Sequence, residues 1–123
     1  MNKPNFTATG STIAITLANG QQCTIDAKFP IIAVETSTDQ EWLFIVTEPP
    51  PQHSQAENLL GIHLPQGQLV WRKAASKVRS RDNVYTQIRF SSTDGCLWAW
   101  DWDGYKTWIE PSTGQEKASH FLK

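Results

Sequence analysis

The chain predicts an all-β domain, an antiparallel meander of about ten short strands forming a twisted sandwich or an open barrel. Three observations carry that expectation. Apolar residues alternate with polar ones at period two or run nearly unbroken over a few positions, and no segment of useful length carries a helical stripe. Turn residues (Asn19-Gly20, Gly67, Asp94-Gly95, Asp103-Gly104, Gly114) punctuate the apolar runs. At 123 residues and 39% hydrophobic composition, the chain holds enough apolar side chain for one core, so residues 1–123 read as a single domain.

Each strand has its own signal. Residues 11–17 alternate, Ala18-Asn19-Gly20 turns, and residues 21–27 return. Asn-Gly suits a two-residue hairpin turn, where both central positions take positive φ. Residues 31–35, after Pro30, form a β-branched run. Residues 41–48 (Glu-Trp-Leu-Phe-Ile-Val-Thr-Glu) are almost wholly apolar and too short for an ordinary helix, so they read as a central strand buried on both faces. A Pro-rich loop at 49–58 follows, then a hairpin from residues 59–64 and 69–73. A basic, polar connection at 74–83 has room for a short helix. Residues 84–92 alternate cleanly, and turns at Thr93-Asp94-Gly95, Asp103-Gly104 and 110–114 lead into the Trp strand, residues 105–109 and residues 115–122. The tight turns from Leu59 onward imply that the C-terminal half is one antiparallel sheet.

Composition removes several function classes. The net charge of −1 gives no overall field toward nucleic acid or an anionic membrane. Six basic residues between Arg72 and Arg89 (Arg72, Lys73, Lys77, Arg79, Arg81, Arg89) are followed by an acidic stretch, which argues against a nucleic-acid footprint. The start of the chain lacks an apolar run, so a secretory signal is not expected, and no stretch approaches membrane-spanning length. Localisation is therefore expected to be cytoplasmic, with Cys23 and Cys96 reduced and buried. His53, His63 and His120 lie on separate elements at no ligand spacing, so neither a metal nor another cofactor is expected. Neither a nucleophile elbow nor a Gly-rich phosphate loop is present, and the chain does not read as an enzyme.

The most informative segment is 96–108, Cys-Leu-Trp-Ala-Trp-Asp-Trp-Asp-Gly-Tyr-Lys-Thr-Trp, which holds four of the six Trp. Strand parity puts Trp98, Trp100 and Trp102 on one face and Leu97, Ala99 and Asp101 on the other. Asp101 and Asp103, two residues apart, would share a face. There they could mimic phosphates toward a basic nuclease cleft or act as a coupled acid–base pair; otherwise Asp103 shapes the turn and Asp101 meets solvent.

Residues 60–71 (Leu-Gly-Ile-His-Leu-Pro-Gln-Gly-Gln-Leu-Val-Trp) resemble a β-propeller-type element, a strand, a Gly turn and a strand ending in Trp. Asp94-Gly95-Cys96-Leu97-Trp98-Ala99, Trp102-Asp103-Gly104, Pro111-Ser112-Thr113-Gly114 and the Phe121-Leu122-Lys123 tail resemble the next such unit. Over residues 58–123 the chain is similar to small all-β bacterial proteins of the immunity type, associated with contact-dependent-inhibition or polymorphic toxin systems. The resemblance implies an immunity protein that covers the active or substrate-binding surface of a cognate toxin in the cytosol. It also implies that Leu97, Ala99, Trp102 and Gly104 are framework, whereas Trp98 and Trp100 occupy positions that are usually polar. Trp98, Trp100, Asp101, Asp103 and Tyr105 are accordingly the candidate partner contacts. The alternative is a carbohydrate- or small-ligand-binding β-module that uses the Trp row as a stacking platform.

Overall fold

The computed structural model describes residues 4–50, 56–75 and 83–121, and it is all-β. The first sheet comprises β1 (Asn5–Thr9), β2 (Thr12–Thr16) and β3 (Gln22–Asp26). The second comprises β4 (Ile31–Thr36), β5 (Trp42–Thr47), β6 (Leu59–His63) and β7 (Gln68–Lys73). The third comprises β8 (Tyr85–Ser91), β9 (Cys96–Asp101), β10 (Tyr105–Ile109) and β11 (Glu116–Phe121). Within each sheet the strands pair in sequence order, and every pairing is antiparallel.

The second sheet is the middle layer. On β5, Leu43 and Ile45 enter a core shared with Ile13 and Ile15 of the first sheet. Phe44 and Val46 point the other way, into a core with Tyr85, Ile88, Leu97, Ala99 and Ile109 of the third sheet. All four β5 side chains are fully buried, as expected for an apolar run too short for a helix. Burying a side chain of this size contributes about 1.5–3 kcal/mol, so this strand serves two cores at once.

The described strands number eleven, and the additional one is β1, Asn5-Phe6-Thr7-Ala8-Thr9. Its only large apolar residue, Phe6, packs against the first core, so the strand forms by pairing with β2 more than by its own pattern. The C-terminal half is not one sheet. β6 and β7 complete the second sheet, and β8 begins the third after a connection too long for a hairpin. Most of that connection, residues 76–82, lies outside the described residues, as does the core of the Pro-rich loop, residues 51–55, which includes His53. The Asn19-Gly20 turn also differs from expectation. Only Gly20 has positive φ (88°), and Leu17 N–H donates to Gln21 O while the Asn19 side chain accepts from Gln21 N–H. The longer loop lets Asn19 act through its side chain.

Three side chains join the second and third sheets by bonding backbone across the gap. Asn58 is fully buried; its Nδ2 donates to Thr47 O (2.9 Å) and Tyr85 O (2.7 Å), and its Oδ1 accepts from Tyr85 N–H (3.1 Å). Trp71 Nε1 donates to Pro111 O at 2.7 Å, with the indole seated against Gly61 and Gly114, where an added Cβ would overlap the ring. Glu35 Oε1 accepts from Phe90 N–H at 3.3 Å.

Asn58→Ala would strand two carbonyls and one amide in a dry interface. It is expected to cost about 3 kcal/mol or more in urea denaturation, each orphaned buried group costing ~1–3 kcal/mol. Asn58→Asp keeps the acceptor but loses the donor, and is expected to fare no better. Gly61→Ala should displace the Trp71 indole and lower stability by about 2 kcal/mol or more on the same measurement, and red-shift Trp emission as the ring leaves its buried seat.

Candidate functional site

The outer face of the third sheet carries the Trp cluster. Parity holds along β9: Leu97, Ala99 and Asp101 are buried, while Trp98 and Trp100 are half-buried on the opposite face. The antiparallel register around the Asp103-Gly104 turn then sets Lys106 beside Trp100 and Trp108 beside Trp98. On the other side of β9, Gln87 and Arg89 of β8 pair with Trp100 and Trp98. The result is a face of three indoles and two cations. The rings meet edge to face, Trp98 to Trp100 at 6.4 Å and Trp98 to Trp108 at 5.5 Å between centroids. Lys106 Nζ sits 3.4 Å from the Trp98 centroid, 5.2 Å from Trp100 and 5.0 Å from Trp108. A cation over an indole face gains ~0.5–2 kcal/mol, more as it loses water. Trp98 Nε1 is buried and has no hydrogen-bond partner among the described residues. None of these three Trp belongs to either hydrophobic core.

The other sequence candidates are elsewhere. Asp101 ends β9 on the core side, and its Oδ1 accepts from Gly104 N–H (3.0 Å) and Tyr105 N–H (2.9 Å). It is a buried turn-forming carboxylate, neither solvent-exposed nor offered to a partner. Asp103 lies in the turn, not on the strand, so the two acids do not form a pair on one face; its N–H donates to the buried Asn83 side chain. Tyr105 shares parity with Thr107 and Ile109, so it lies on the face opposite Trp98 and Trp100. Sequence reasoning missed Lys106, Trp108 and Arg89, although the first two continue the period-two pattern past the turn.

The framework assignment of Trp102 is corrected. The residue is 67% exposed, because the strand ends at Asp101 and parity ends with it. Trp102 N–H donates to Val84 O, and the ring borders a groove of about 390 Å³ with Ile32, Thr47, Glu48, Pro49 and Thr86 among its other walls. Tyr85 also lines this groove. Burial, helped by the charges of Glu116 and Asp101, pushes its phenol well above the ordinary value, so it stays protonated at any working pH. Both cysteines are free, Cys96 buried and Cys23 half-buried. Among the described residues, no cluster of His, Cys, Asp and Glu could hold a metal, and no helix is long and apolar enough to cross a membrane.

Residues 31–121, which span the second and third sheets, match the family described as Domain of unknown function (DUF7957). The chain belongs to this family. The family match thus covers the Trp face and the groove, and omits the first sheet. No curated protein matches the chain. Among solved structures, it is similar to a dihydro-heme d1 dehydrogenase, NirN, in complex with DHE (13% identity, TM-score 0.68, covering 94% of this chain and 24% of that one). It is also similar to U3-55K (12% identity, TM-score 0.66, 95% and 35%) and to Hsv2 of Kluyveromyces marxianus (14%, 0.56, 81% and 30%). The chain spans a quarter to about a third of the length of these structures. They are propeller-like, and at such identities the likeness is one of fold alone: successive antiparallel sheets packed face on face like blades.

Trp102→Ala should leave the unfolding free energy within about 0.5 kcal/mol of the parent, because the ring is mostly in water. Lys106→Met, which keeps the aliphatic stem and removes the charge, should cost ~1 kcal/mol and change the Trp fluorescence spectrum; an unchanged spectrum would mean that the ammonium does not sit over the rings.

Proposed function

We propose that this protein works by binding another protein, through the outer face of the third sheet. The observation that carries the reading is the cluster of Trp98, Trp100 and Trp108 around Lys106, half-buried on a face outside both cores. Aromatic rings held by neighbours, with cations among them, are the composition of interface anchors: Trp and Arg supply the largest losses on truncation. Rings locked edge to face lose little side-chain entropy when a partner covers them. The same geometry does not offer the flat platform on which a sugar ring stacks, which disfavours Trp98 and Trp100 as a saccharide site.

The finer reading is that the partner is a cognate bacterial toxin domain, covered in the cytoplasm by this chain acting as its immunity protein. It rests on the resemblance to immunity-type proteins that the sequence of residues 58–123 suggests. On this reading the contact has a different chemistry from the one the sequence suggests. With Asp101 committed to its turn and Arg89 and Lys106 on the Trp face, the complementary surface is apolar or acidic, not a basic nuclease cleft.

The test is co-purification with the product of the adjacent gene, after light scattering has established whether the chain alone is a monomer. A stable complex that Trp100→Ala weakens by ~2 kcal/mol, about thirtyfold in Kd, with the melting temperature preserved, is the expected result. A chain that self-associates through this face, or a complex indifferent to Trp100, overturns the reading.

A further inference from the structure

Among the described residues, two of the three exposed large hydrophobic residues, Ile32 (46%) and Trp102 (67%), border the same groove. It lies where β5 ends and β8 begins, and none of Trp98, Trp100, Trp108 and Lys106 is on its lining. Its walls are fixed to each other, because Thr47 and Tyr85, one from each side, are bonded through the Asn58 amide. Ile32, Pro49 and Val84 supply apolar lining. Among the described residues, Glu48 is exposed and is the one charged residue on the lining, and none forms an ion pair with it. Thr47 and Tyr85 each bury a hydroxyl that has no partner among the described residues.

We infer that this groove takes the side chain of an arginine from a partner segment. A neutral ligand would leave the exposed carboxylate of Glu48 unused, and an anionic one would be repelled by it. A cation with an aliphatic stem uses every part: the methylenes lie on Ile32, Pro49 and Val84, and the charge meets Glu48. Arginine fits better than lysine, because a planar, weakly hydrated guanidinium stacks on an indole face while its fork bonds a carboxylate. The exposed Trp102 supplies that indole, and the strand's end at Asp101 is what frees it from the sheet. The inference is independent of the toxin reading, since it uses no residue of the Trp98 face.

The experiment is a titration of the ¹⁵N-labelled full chain with a capped Gly-Arg-Gly peptide, following the indole N–H signals, with Trp102 assigned from Trp102→Ala. Citrulline, lysine and maltose arms run beside it. The expected result is saturable millimolar binding of the arginine peptide that shifts Trp102 and leaves Trp98 unmoved. Citrulline, which keeps the planar shape and loses the charge, should bind ~tenfold more weakly or not at all, and Glu48→Gln should weaken arginine binding to a similar degree. Lysine should bind more weakly than arginine. Equal binding of citrulline, saturation by maltose instead, a response confined to Trp98, or no saturable shift would each overturn the inference. Both substituted residues are exposed, so loss of binding by the variants can be separated from loss of fold by their unchanged amide spectra.

Discussion

Asn58 is a polar side chain with no access to water, and the joint between the second and third sheets depends on it. Tyr85 opens an edge strand, and both of its backbone groups, N–H and C=O, are taken by the Asn58 amide. The remaining Nδ2 proton reaches Thr47 O at the end of β5. One amide therefore does for the sheet boundary what a paired strand does inside a sheet: it satisfies the backbone of both sides while the apolar faces close. At the far end of the same interface the Trp71 indole bonds Pro111 O, and Gly61 and Gly114 leave room for it. The two sheets are thus held at both ends, and their relative position is set by hydrogen-bond geometry as well as by hydrophobic area.

Both surface features follow from that joint. The groove is walled by Thr47 and Tyr85, the residues that Asn58 ties together, so its width is a property of the joint and not of loop packing. The Trp98 face is the reverse side of the same sheet. Leu97, Ala99 and Ile109 face the core, and pleating sends Trp98, Trp100 and Trp108 outward. The rings pack on each other and on Lys106, which leaves them half-buried on a face that no sheet covers among the described residues.

What could be read from the sequence tracks how local the cause is. Five consecutive apolar residues in Trp42–Val46 announce a strand buried twice, and alternation in 97–101 separates core from surface residue by residue, while Cys96 is buried against that parity. Lys106 and Trp108 were within reach, because a turn centred on Asp103 pairs 100 with 106 and 98 with 108. Trp102 was not. Whether the strand continues past Asp101 depends on a side-chain carboxylate capping Gly104 and Tyr105, and on Val84 accepting from Trp102, neither of which leaves a periodic trace. Asn58 was equally hidden: at the end of a loop it looks like any polar loop residue, and its partners lie 11 and 27 positions away. β1 escaped because its only large apolar residue is Phe6. The groove draws on four separate segments, so only the assembled fold brings Glu48 and Trp102 together.

The most direct measurement is amide hydrogen exchange at Tyr85. This is the first residue of an edge strand, a position that ordinarily exchanges quickly by fraying. If the Asn58 carbonyl holds this N–H in a dry joint, it exchanges only when the whole domain unfolds, in step with the amides of Leu43–Val46 at the centre of the molecule. Exchange of the Tyr85 amide at the rate of a solvent-exposed turn, with β5 still protected, would contradict the account, because the second and third sheets would then be joined by apolar contact alone.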